Sequence, residues 1–192
     1  MENERTEILP YCASLTEYSR RHSREVRIGV SAIGGGNPIA VQSMTDTDTN
    51  DTAACVAQIG RIRDAGGRIV RLTAQGMREG ENLRSIAEEV RQRCPDVSLV
   101  ADIHFLPDVA LTAAKYVDKV RINPGNYNDK GGDFAALLSL CSERGTALRI
   151  GVNHGSLSAH IVEEWGDTPA GMVASAMEFL RACREHDFHN VV

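Results

Sequence analysis

No stretch of this chain is apolar for long enough to cross a membrane. No two of its five cysteines (Cys12, Cys55, Cys94, Cys141, Cys183) form a C-x-x-C pair, and none has a histidine cluster beside it. A zinc site or a redox dithiol is therefore not expected. Cys55, Cys141 and Cys183 fall on expected helices and Cys94 near the end of one, which reads as small buried thiols. His22, His154, His160, His186 and His189 lack the spacing of metal ligands, so no metal is expected in this chain. Gly34-Gly35-Gly36 does not make a G-x-G-x-x-G sequence and is read as a turn, not a nucleotide loop. Positive charge is also lacking. The formal net charge of −5 gives no basis for general binding to nucleic acid, so the arginines look local in purpose. The start, Met1-Glu2-Asn3-Glu4-Arg5, is acidic and polar, unlike a secretory signal or a transit peptide. No membrane partner and a cytoplasmic location are the expectation.

What is present is a repeated arginine near the end of short apolar runs. It occurs in Ile69-Val70-Arg71-Leu72-Thr73, in Lys119-Val120-Arg121-Ile122-Asn123, and in Leu148-Arg149-Ile150-Gly151-Val152-Asn153. A guanidinium inside a strand is costly unless an anion meets it. Three in equivalent places point to one anionic ligand held by three strands.

The 192 residues, 42% of them hydrophobic, suffice for one domain with a substantial core. Residues 1–20 lack periodicity and read as an N-terminal extension, and residues 21–37 as a hairpin-like cap. From there strands and helices alternate. Strands are expected at residues 39–44, 68–73, 98–103, 119–123 and 147–153. Helices are expected at about 52–65, 81–93, 107–116, 134–143 and 170–185. Pro107 opens one of these, Gly66-Gly67 and Gly145 stop others, and residues 154–169 are expected to form a loop. Asn190-Val191-Val192 looks like a further strand beginning. Alternation of this kind implies a parallel sheet with helical crossovers. The expected fold is α/β, a (β/α)8 TIM-type barrel over residues 38–192, truncated after about five and a half β/α units.

In such a barrel the site lies at the C-terminal ends of the strands, and residues two apart share a face. Gln42 and Ser43, Arg71 and Thr73, Asp102 and His104, Arg121 and Asn123, and Arg149 and Asn153 all occupy strand ends. If the strands are parallel neighbours, these groups converge on one mouth. The three arginine forks suit phosphate or carboxylate; internal salt bridges, Arg121 with Asp102 for instance, are the other use. Asn123 and Asn153 can bond to phosphate or hydroxyl oxygens, though Pro124-Gly125 also makes Asn123 a natural turn residue. Asp102 and His104 are either an acid/base pair or a structural one.

The motifs Pro38-Ile39-Ala40-Val41-Gln42-Ser43-Met44-Thr45, Ala101-Asp102-Ile103-His104-Phe105, Val120-Arg121-Ile122-Asn123-Pro124-Gly125-Asn126, Arg149-Ile150-Gly151-Val152-Asn153 with Gly155-Ser156-Leu157, and Gly166-Asp167-Thr168-Pro169 occur in this order. From about residue 20 onward the chain resembles the 4-hydroxy-3-methylbut-2-enyl diphosphate synthase (IspG/GcpE) family of the non-mevalonate isoprenoid pathway. The resemblance implies an oxidoreductase that reductively opens 2-C-methyl-D-erythritol 2,4-cyclodiphosphate. It implies electrons from flavodoxin or ferredoxin, delivered through a [4Fe-4S] cluster held by three Cys and a Glu in a separate C-terminal domain, and a homodimer in some relatives. It places Arg71, Arg121, Asn123, Arg149 and Asn153 on substrate-binding positions, with Gln42, Asp102 and His104 in support; the catalytic residue itself is not identified. None of the five cysteines matches the cluster motif. The cluster domain and the last barrel strands are expected to be absent, and the chain alone to be inactive. A pterin-binding, dihydropteroate-synthase-like barrel and a non-catalytic barrel fragment are the alternatives.

Overall fold

A computed structural model describes residues 16–17, 22–129 and 131–192. Cys12 and, apart from Thr16 and Glu17, the expected extension over residues 1–20 lie outside the described residues. The first elements are a two-stranded antiparallel hairpin, β1 (Val26–Ile28) and β2 (Ser31–Ile33). A parallel five-stranded sheet follows, in the order β3 (Gln42–Met44), β4 (Ile69–Ala74), β5 (Ser98–Ile103), β6 (Lys119–Ile122), β7 (Ala147–Ile150). The connecting helices are α1 (Thr52–Asp64), α2 (Met77–Arg93), α3 (Pro107–Ala113), α4 (Pro124–Asp129) and α5 (Phe134–Arg144). α6 (Ala159–Trp165) and α7 (Pro169–Glu185) follow β7. Strand order equals chain order, as in a (β/α) barrel and unlike a doubly wound sheet.

Local chemistry explains most helix ends. Asp51 and Asp133 cap α1 and α5 by accepting from the backbone N–H of Ala54 and Ala136. Thr168 caps α7 through the N–H of Gly171, with Pro169 in the first turn. Gly145 ends α5 at φ 68°, a conformation that favours glycine.

Three expectations need correction. The strand expected at 39–44 is ordered into the sheet only at Gln42–Met44, because it pairs with β4 alone and leaves Ile39 and Val41 exposed. α2 begins at Met77, four residues before the apolar stripe shows it; Glu79 Oε2 accepts the Gly76 N–H at 3.0 Å and caps that turn. α4 and α6 stand where turn and loop were expected. Each is under two turns long, too short to display a helical period. The C-terminal segment does pair: Leu148 N–H donates to Asn190 O and Val192 N–H to Leu148 O, beside β7.

The sheet separates two apolar layers. Outward-facing Val70, Leu72, Leu99, Ala101, Val120, Ile122 and Leu148 pack against the helices. Inward-facing Ile69, Val100 and Ala147 pack against Val26 and Ile28, so the hairpin fills the lower end of the barrel interior. Ser98 Oγ ties it there by donating to Ile28 O at 2.5 Å. No helix among the described residues is long and apolar enough to cross a membrane.

Candidate functional site

Above that apolar floor the inward positions become charged. Asp102 of β5, Arg121 of β6 and Arg149 of β7 are direct register neighbours on adjacent parallel strands. Directly opposed like charges such as Arg121 and Arg149 are unfavourable. The period of two carries the same face down to Arg71 on β4 and Lys119 on β6, and up to His104, Asn123 and Gly151. The result is four cationic side chains grouped with a single carboxylate.

Asp102 is buried and holds two of the cations. Arg71 Nη2 donates to its Oδ2 at 2.5 Å and Arg121 Nη1 to its Oδ1 at 3.1 Å. The internal salt bridges that the sequence left open are therefore formed, and they share one carboxylate. Arg121 also donates from Nη2 to Gly151 O at 2.8 Å. Its Nη1 lies 2.8 Å from His104 Nδ1. A guanidinium only donates, so Nδ1 must accept and the imidazole proton sits on Nε2. His104 Nδ1 is 3.7 Å from Asp102 Oδ2, beyond hydrogen-bond range; the two meet through Arg121 and not directly. Burial pushes the Arg121 guanidinium down and Asp102 holds it up.

Several polar groups are left without partners. Arg149 is half-buried and makes no hydrogen bond or ion pair among the described residues. Arg71 Nε and Asn123 Oδ1 are buried with none. The Asn123 orientation follows from its neighbours. Ser156 Oγ donates its proton to Asn153 O at 3.1 Å, so it accepts from Asn123 Nδ2 at 2.9 Å. The free atom of Asn123 is thus an acceptor. Asn153, expected at the end of a strand over 147–153, instead sits exposed in the loop after β7, which stops at Ile150, and no hydrogen bond of its side chain among the described residues holds it toward the others. Gln42, on β3, is exposed, and its Oε1 accepts from Lys119 Nζ at 3.5 Å.

Lys119 is the member that sequence reading missed, although its signal was available: it lies two residues before Arg121, on the same face. It is 3% exposed. Burial, then Arg149 and Arg71, push its ammonium down from 10.5 to about 8. Between those two values the unfolded chain holds a proton that the folded chain lacks, so stability rises with pH across that window. From pH 8 to 10 the thermal stability of the native chain should rise relative to that of Lys119→Met; the raised thiols Cys141 and Cys183 lower stability above 9.0 in both proteins and cancel in the difference. Lys119→Met should also be the more stable of the two at pH 7. Equal slopes in both proteins would contradict the assignment.

The thiols stay away from this site. Cys55, Cys94, Cys141 and Cys183 are buried between helices and sheet. Burial pushes Cys141 to about 12 and Cys183 to about 11, far from reactive thiolates. No group of three His, Cys, Asp or Glu among the described residues is placed to hold a metal ion.

Comparison with known proteins agrees with the fold. A dihydropteroate synthase from Xanthomonas albilineans superposes with a TM-score of 0.59 at 12% identity, covering 87% of this chain and 62% of that one. A phospho-2-dehydro-3-deoxyheptonate aldolase from Thermotoga maritima gives 0.56 at 14%, covering 89% and 45%. At such identities the likeness is one of fold alone. In sequence the chain is similar to a 4-hydroxy-3-methylbut-2-en-1-yl diphosphate synthase (flavodoxin) of Phocaeicola vulgatus. The two are 53% identical over 199 residues, which is 93% of this chain and 32% of that protein. The protein of the same name from Akkermansia muciniphila is 46% identical over 202 residues, 95% of this chain and 34% of that protein. The chain thus spans about a third of the length of the curated relatives it matches. The sequence model of the GcpE TIM-barrel domain matches residues 23–192, a span that contains every strand and every charged residue of the barrel interior, and the chain belongs to that family.

Proposed function

We propose that this chain is the substrate-binding barrel of a 4-hydroxy-3-methylbut-2-en-1-yl diphosphate synthase. The substrate in this reading is 2-C-methyl-D-erythritol 2,4-cyclodiphosphate, opened reductively in the cytoplasm with flavodoxin as electron donor. The observation that carries it is the charge imbalance at the mouth, four cations around one carboxylate among the described residues, where Arg149 and Arg71 Nε lack acceptors. A cyclic diphosphate supplies both the missing negative charge and the missing acceptor oxygens.

In this reading Arg71, Arg121 and Arg149 hold the two phosphoryl groups. Asn123 takes a different part of the ligand. Its free atom is an acceptor, and ionised phosphate offers no proton, so Asn123 Oδ1 receives a hydroxyl of the sugar-derived carbon chain. His104 Nε2–H is a further donor at the same mouth. Asn153 enters from the exposed loop. The [4Fe-4S] cluster that the family resemblance implies supplies electrons. It does not fit the residues described: the four described thiols are buried, no three of them are grouped to hold a metal ion, and burial keeps Cys55, Cys141 and Cys183 from ionising. The barrel's part is to bind and orient the diphosphate.

Calorimetric titration with the cyclodiphosphate tests the reading without requiring turnover. Binding in about the micromolar range is expected, weakening as salt is raised. A pterin should give no saturable heat. Saturable pterin binding with no response to the cyclodiphosphate would transfer the chain to the other barrel class.

A further inference from the structure

We propose that Lys119 is a positioning residue of the anion site, holding the Gln42 carboxamide with its oxygen inward so that its NH2 is left to the ligand. This rests on the cyclic-diphosphate reading above. Gln42 is on β3 and Lys119 on β6, with two strands between them. Their contact, Nζ to Oε1 at 3.5 Å, therefore crosses the barrel interior and does not run along the sheet. An ammonium has no lone pair, so it meets only the oxygen of the amide. The reversed carboxamide would set donor against donor. Gln42 Nε2 has no hydrogen-bond partner among the described residues, and it belongs to an exposed side chain at a strand end.

No competing partner among the described residues restrains Lys119. The charged groups around it are Arg71 from β4, Arg121 above it on β6, and Arg149 from β7. The one carboxylate, Asp102 of β5, already accepts from Arg71 and Arg121 through its two oxygens. Gln42 Oε1 is thus the only hydrogen-bond acceptor of the buried ammonium among the described residues. Burial first, and then Arg149 and Arg71, depress Lys119 to about 8. A ligand bearing two negative charges above it relieves that pressure and draws a proton onto it. Each phosphoryl group of a cyclic diphosphate carries a single, strongly acidic proton. Any pH dependence of binding between 7 and 9.5 therefore belongs to the protein.

The test is a calorimetric cycle with the cyclodiphosphate on the native chain, Lys119→Met, Gln42→Leu and the double variant. Loss of Gln42 should weaken binding about tenfold in the native background and less than about twofold once Lys119 is gone, because the unrestrained carboxamide no longer presents its NH2. The native chain should lose affinity from pH 7 to 9.5 and take up a proton on binding near pH 8; Lys119→Met should do neither. Lys119→Met removes a buried charge and is expected to fold. Gln42→Leu alters an exposed position and gives a second, independent variant. An equal cost of Gln42→Leu in both backgrounds, or a pH profile unchanged in Lys119→Met, overturns the positioning role while leaving the anion site intact. Absence of binding by the native chain overturns both.

Discussion

Arg121→Ala should lower affinity for the cyclic diphosphate by at least about a hundredfold, the scale seen when one member of a buried, hydrogen-bonded charge pair is removed. The reason lies in what this one fork organises. It joins Asp102, His104 and Gly151 O, contacts from two neighbouring strands besides its own. Its side chain is 8% exposed and that of Asp102 5%. Truncation takes one of two cations from a buried carboxylate and removes the group that sets the His104 tautomer. A stability loss of about 3 kcal/mol in urea unfolding is expected alongside. Arg121→Lys should not restore binding, because a point charge cannot serve three acceptors in one plane. Native-like affinity in a folded Arg121→Ala protein would remove the arginine cluster as the basis of recognition.

The second large effect comes from a residue with no side chain. A Cβ built on Gly151 would lie 2.1 Å from Arg121 Nε and 2.8 Å from its Cζ. Its φ is not in the left-handed region, so alanine is acceptable to the backbone and the nearest obstacle is the guanidinium. Gly151→Ala should therefore displace Arg121 and cost about as much affinity as Arg121→Ala. It should cost only about 1–3 kcal/mol of stability, as overpacking does. Combined with Arg121→Ala it should add almost nothing, since both act through the same side chain. Titration of the single and double variants checks this; additive losses would show that Gly151 matters for another reason.

The arginines at 71, 121 and 149 were legible because each breaks an apolar run at the same place, and a charge there demands an explanation. Lys119 was not singled out because a lysine at the first position of a strand reads as a solvated end. Only the neighbouring strands bury it. Asn123 was legible as a polar strand end but not as an acceptor, since that depends on Ser156, 33 residues away. The short helices α4 and α6 carry no readable period at all.

By itself the sequence determined the strand–helix alternation, the parallel sheet and the family. These rest on local patterning and backbone chemistry, which act over a few residues. The tertiary structure decided which charges are shared and which are left over. That one carboxylate serves two arginines, that Arg149 has no partner among the described residues, and that Lys119 reaches across the interior to Gln42 are consequences of register and barrel curvature. Strand pairing brings together residues far apart in the chain, and burial raises the cost of every charge left unmatched there.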